Sequence, residues 1–206
     1  MAADYIHRFV PASVADAPTL LALHGTGGGE NDLIPLARMI SPASAVLSPR
    51  GHVLEHGMPR FFRRLAEGVF DLEDLHARTE ELAAFVTDSA ERYHFDPTRI
   101  VAIGYSNGAN IAGSLMLSKP GLLAGGVLLR PMVPFEPESL PDLRGTKVLL
   151  SAGRHDRLIP QPSTERLREL LQQSNADVTL VWFDADHSLL PREMEQSARW
   201  FAQHFS

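Results

Sequence analysis

The sequence predicts a doubly wound α/β domain: a mostly parallel sheet with helices on both faces. Three observations predict it. Short apolar runs recur at residues 19–23, 45–47, 100–103, 126–129, 147–152 and 178–183, and they read as buried parallel strands. Segments of helical spacing lie between them, and the alternation continues to the end of the chain. In such a sheet the ligand site is expected at the carboxyl ends of the strands.

Taken in order, residues 5–10 alternate in polarity and read as an edge strand. After the first core strand, Asn31 or Asp32 is expected to cap a short helix running through Met39. Between residues 73 and 93, Leu75, Leu82, Phe85, Val86, Ser89 and Tyr93 share one face, while Glu80, Asp88 and Glu91 point elsewhere. Pro97 stops any continuation of that helix. Residues 111–117 form an apolar helix, and Met194, Ala198, Phe201 and Phe205 mark the inward face of a last one. Two stretches rich in Pro, Gly and Arg, residues 48–71 and 130–145, read as irregular loops over the active end of the sheet.

The 206 residues, 44% hydrophobic and 21% charged, suit one soluble globular domain spanning 1–206. A formal charge of -6 disfavours nucleic acid, whose backbone is bound by clustered Lys and Arg, and favours a small or neutral substrate. No segment is apolar and long enough to span a bilayer. The absence of cysteine removes disulfides, thiolate metal sites and a thiol nucleophile. The start, Met1-Ala2-Ala3-Asp4-Tyr5, has neither the basic residues nor the apolar run of a secretory signal, so a cytoplasmic location is expected. A homodimer is compatible with all of this.

The run 100–103 leads directly into Gly104-Tyr105-Ser106-Asn107-Gly108-Ala109, and a helix follows. Strand, tight turn and helix form a nucleophile elbow: the serine sits on a strained turn, and the residues two before and two after it must lack bulk. Gly104 and Gly108 meet that need. The turn also sets the backbone NH of Asn107 at a helix N-terminus, where the dipole favours a developing oxyanion. A serine hydroxyl needs a base, and the base needs an orienting acid. In the α/β-hydrolase fold they follow in the order acid, then histidine, each after a later strand. Gly153-Arg154-His155-Asp156 follows one strand and Asp184-Ala185-Asp186-His187 the next, so Asp156 and His187 are the candidates. Among the nine histidines, His155 is the nearest rival base. Asp184 and Asp186 are rival acids, ranked lower because they stand so close to His187 in the chain. The first core strand ends in His24-Gly25-Thr26-Gly27-Gly28-Gly29-Glu30, which supplies the second oxyanion donor, expected to be the NH of Thr26. Glu30 at the sixth position of Gly-x-Gly-x-x-Gly argues against a phosphate cradle. His24 is read as holding the loop.

Pocket walls are sought in Met58-Pro59-Arg60-Phe61-Phe62-Arg63-Arg64 and Arg130-Pro131-Met132-Val133-Pro134-Phe135. Phe61, Phe62, Met132 and Phe135 could line an apolar acyl or aryl site, and an arginine could receive a carboxylate. Against this, arginines pair readily with Glu67, Asp71 or Glu73, and aromatics readily fill a core. Arg130 is the exception singled out, because it directly follows a buried strand at its active end.

Leu23-His24-Gly25-Thr26-Gly27-Gly28, Ser48-Pro49-Arg50-Gly51, the elbow hexapeptide, Leu129-Arg130-Pro131-Met132 and Gly153-x-x-Asp156 together resemble the bacterial branch of the phospholipase/carboxylesterase family. Acyl-protein thioesterases belong to that family, and dienelactone hydrolases are its relatives. The resemblance covers nearly the whole chain. It implies an α/β-hydrolase fold with a minimal lid, no cofactor and no metal, acting on short-chain or aryl carboxylic esters or on thioesters. Two departures stand out: the loop before His187 lacks the glycines common in such enzymes, and Ser106 replaces the cysteine nucleophile of dienelactone hydrolases. Alternatives are an acyltransferase or perhydrolase on the same triad, and a non-catalytic binding protein on the same scaffold.

Overall fold

The computed structural model describes residues 5–205; the segment from which the cytoplasmic expectation derives lies mostly outside them. The elements run in chain order. First come β1 (His7–Val10), β2 (Thr19–Leu23), α1 (Ile34–Ile40) and β3 (Ala45–Pro49). Two small hairpins follow, β4 (Val53–Glu55) with β5 (Met58–Arg60) and β6 (Arg64–Ala66) with β7 (Val69–Phe70). Then come α2 (Leu72–Tyr93), β8 (Ile100–Tyr105), α3 (Asn107–Ser118) and β9 (Gly125–Leu129). The chain ends with β10 (Lys147–Gly153), α4 (Gln161–Gln173), β11 (Asp177–Phe183) and α5 (Pro191–Phe205).

Seven strands form the main sheet in the order β1-β3-β2-β8-β9-β10-β11. Every neighbouring pair is parallel except β1 with β3, which places the alternating N-terminal strand at an edge, as its pattern suggested. Successive residues of the central strands serve opposite faces. Leu21, Leu23, Ala102, Leu128, Val148 and Leu150 pack under Leu75, Leu82, Val86, Ile111, Leu115, Leu167 and Leu171, so α2, α3 and α4 cover one face. Leu20, Ala22, Val101, Ile103, Val127 and Leu149 face Ala37, Ile40, Met194, Trp200 and Phe201 of α1 and α5 on the other. Each of these large side chains, removed from water on a face of the sheet, contributes about 1.5–3 kcal/mol.

Helix α2 begins where Asp71 accepts a hydrogen bond from the amide of Asp74 at 3.2 Å, and it ends at His94 in the left-handed conformation with φ 57. Helix α1 does not start as the sequence suggested. Its N-cap is Leu33, with no side-chain cap; Asp32 instead accepts from the amide of Gly29 at 2.8 Å and so closes the glycine-rich turn. Residues 48–71 are also more ordered than expected, since β4 to β7 fold them into two hairpins above the carboxyl end of the sheet.

Candidate active site

The elbow is built as its sequence requires. Ser106 has φ 52 and ψ -113, a conformation that a non-glycine residue adopts only under strain. The doubling back of the chain leaves no room beside it: a Cβ on Gly108 would stand 1.9 Å from the Leu23 carbonyl oxygen, and one on Gly104 would stand 2.7 Å from Ala109 Cα. The Ser106 amide donates to the Leu129 carbonyl at 2.8 Å, tying the elbow to β9.

Ser106, His187 and Asp156 come together in a row. The Ser106 hydroxyl and His187 Nε2 are 3.0 Å apart, and His187 Nδ1 lies 2.8 Å from Asp156 Oδ2. The Asp156 side chain is 1% exposed, and its Oδ1 accepts from the amides of Leu158 and Ile159 at 2.8 and 3.1 Å. These bonds fix the carboxylate and leave one oxygen for the imidazole. The loops after β10 and β11 are clamped to one another, with the amides of Arg154 and His155 donating to the carbonyls of Phe183 and Ala185. The rival residues stand apart. His155 and Asp184 pair with each other on the exposed surface at 2.6 Å, and Asp186 turns its carboxylate back to the Ser188 amide.

The glycine-rich loop approaches the same point. Its Gly27, Gly28 and Gly29 amides are engaged by the Pro59 carbonyl, the Gly25 carbonyl and Asp32. The Thr26 hydroxyl accepts from Arg60 at 2.7 Å, and Thr26 lines the same cavity as Ser106. The Asn107 amide, first in α3, has no intrahelical acceptor. Its side-chain oxygen accepts from the Phe61 amide at 2.8 Å, holding the hairpin against the elbow. Buried His24 braces the loop: Nδ1 meets the Gly25 carbonyl at 2.7 Å and Nε2 accepts from the Gly51 amide at 2.9 Å. Burial lowers its pKa and keeps the ring neutral, as the bond to Gly51 requires.

A cavity of about 380 Å³ opens above the serine. Phe70, Met132, Leu158 and Ile159 give it apolar walls, and Arg60, Arg64, Glu67 and Asn110 give it polar ones. Of the expected wall segments, Arg60, Arg64 and Met132 line it, and Met132 alone of the four apolar candidates does. Phe61 and Phe62 are buried beneath it, against His24 and Phe70, and Phe135 packs edge-on to His76. Phe61 and Phe62, in the link between the two hairpins, belong to the core, and Phe135, in the loop after β9, packs against the same cluster. Arg130 requires the larger correction. Its side chain is 0% exposed, forms a bidentate pair with Glu193, both bonds 2.7 Å long, and gives its other donors to the Asp186 and Ser188 carbonyls and to Ser151, so no donor is free for a substrate carboxylate. Burial pushes the Glu193 pKa up. The hydrogen bonds from Arg130, the Ser151 hydroxyl and the Leu190 amide outweigh that and hold it below the ordinary range. Removing one member of such a buried pair costs about 3–5 kcal/mol. Sequence reasoning missed Glu193, although a signal exists: it is an acidic residue on the face of α5 that also buries Met194, Ser197 and Trp200. Among the described residues no cluster of His, Asp and Glu suits a metal ion, and no helix is long and apolar enough to cross a membrane.

A family model described as the dienelactone hydrolase family matches residues 60–204. The chain belongs to this family. MhqD of Bacillus subtilis, a protein named as a hydrolase, is 47% identical over 184 residues, which are 89% of this chain and 92% of that one. The crystal structure of a Bacillus cereus carboxylesterase is 48% identical, with a TM-score of 0.95 over 97% of this chain and 94% of the other. A carboxylesterase from Mesorhizobium loti is 32% identical, with a TM-score of 0.89 over 95% and 93%. The protein is a carboxylesterase-type hydrolase with the α/β-hydrolase fold.

Proposed function

We propose that this protein hydrolyses short-chain or aryl carboxylic esters, and thioesters of similar size, through an acyl-enzyme on Ser106. The observation that carries the reading is the row Ser106, His187 and Asp156, at 3.0 and 2.8 Å, opening onto a cavity of about 380 Å³. That volume suits a compact acyl or aryl group. His187 Nε2 takes the hydroxyl proton while the Ser106 oxygen adds to the ester carbonyl. The oxyanion is received by the backbone NH groups of Thr26 and Asn107. As the carbonyl reforms, the bond to the leaving alcohol breaks and the imidazolium returns the proton to it. Water then repeats both steps on the acyl-enzyme and frees the acid. Asp156 holds Nδ1 protonated and stabilises the imidazolium in each half-reaction.

The experiment is turnover of a p-nitrophenyl ester series, with labelling of Ser106 by an uncharged fluorophosphonate. Turnover with covalent labelling supports the reading; a folded protein inert to both would be a binding protein on this scaffold. Product analysis with water, an alcohol and hydrogen peroxide in competition separates hydrolysis from acyl transfer.

A further inference from the structure

We infer that Arg130 is a positioning residue for the base, and that the dipeptide Leu129-Arg130 sets the alignment of Ser106 with His187. The inference rests on the reading of His187 as the base. At one end of the reacting pair, the Leu129 carbonyl accepts from the Ser106 amide at 2.8 Å. At the other, the Arg130 guanidinium reaches the main chain on both sides of His187. Its Nε donates to the Asp186 carbonyl at 3.0 Å, and one terminal nitrogen donates to the Ser188 carbonyl. The carbonyl of His187 itself accepts from the Tyr105 hydroxyl at 3.0 Å, and Tyr105 immediately precedes the serine. Three consecutive carbonyls are thus held by residues anchored at the carboxyl ends of β8 and β9.

The loop depends on such a frame because residues 184–190, between β11 and α5, have no helix or strand to hold them. Arg130 turns toward it by adopting φ 56, while its amide is fixed to the Ser151 carbonyl at 2.8 Å. Glu193 orients the guanidinium from behind and is itself held by the Ser151 hydroxyl at 2.6 Å. A planar fork with five donors can satisfy the bidentate carboxylate and two carbonyls together; a lysine ammonium cannot.

The test compares Arg130→Lys, which keeps a positive charge opposite Glu193, with the double variant Arg130→Met/Glu193→Met, which removes the pair without stranding a buried charge. Both are assayed with p-nitrophenyl butyrate. A displacement of the imidazole by a fraction of an ångström lowers kcat by about 10- to 100-fold, with KM within about threefold of wild type. Inactivation of Ser106 by the fluorophosphonate slows by a similar factor. Leu149→Ala, a core cavity remote from the row, serves as the control for lost stability. The inference is overturned if kcat in either folded variant stays within about twofold of wild type, if KM rises with kcat unchanged, or if Leu149→Ala lowers kcat equally. Full loss with Ser106→Ala beside wild-type kcat in Arg130→Lys sinks this inference alone. Retained turnover in Ser106→Ala sinks the acyl-enzyme reading and this inference together.

Discussion

Ser106→Ala is expected to lower ester turnover by roughly a thousandfold or more while leaving the melting temperature close to wild type. Alanine removes the only atom that can add to the carbonyl, so the two-step route closes and only stabilisation by the oxyanion donors remains. The elbow itself survives. Its shape is set by the absence of a Cβ at Gly104 and Gly108 and by the Ser106 amide bonded to Leu129, and none of these involves the hydroxyl. The Ser106 side chain provides no cap to α3, so the helix loses nothing with it. The measurement is kcat/KM of the purified variant beside its thermal unfolding curve. A folded variant with most of its activity would remove Ser106 from the chemistry.

The sheet and its flanking helices were legible because buried parallel strands are written as continuous apolar runs, and these runs predict strand ends to within one or two residues at β2, β8 and β10. The candidate row was legible for the same reason. Each of its members sits directly after a core strand, so chain order and strand position placed them at one end of the sheet before any geometry was known. What lines the cavity was not legible. Residues 53–70 form two short hairpins without a hydrophobic period of their own, and whether Phe61 or Phe70 faces the cavity depends on how those hairpins settle on the elbow. The fate of Arg130 was hidden too. A left-handed backbone at the end of β9 sends its side chain under the histidine loop instead of over the serine, toward a glutamate 63 positions away. Sequence pattern reports burial and period; it does not report the direction taken by a residue that leaves the strand conformation.

Asp156→Asn is expected to lower kcat by about ten-thousandfold with the loop geometry intact, the loss that follows when an orienting carboxylate becomes an amide. The substitution is nearly isosteric, and the side-chain oxygen that accepts from Leu158 and Ile159 can still do so, which directs the new NH2 group toward His187 Nδ1. A donor there forces Nδ1 to accept, so the neutral ring carries its proton on Nε2. That nitrogen stands 3.0 Å from the Ser106 oxygen and is then unable to take the hydroxyl proton. The competing assignments give a sharp contrast. Asp184 is 77% exposed on its side chain and bonded to His155, and Asp186 holds only its own turn through Ser188, so Asn at either position leaves turnover within a few-fold of wild type. Steady-state kinetics on the three variants decide between them. Wild-type activity in Asp156→Asn, or a loss confined to Asp184→Asn or Asp186→Asn, would move the orienting role to another carboxylate.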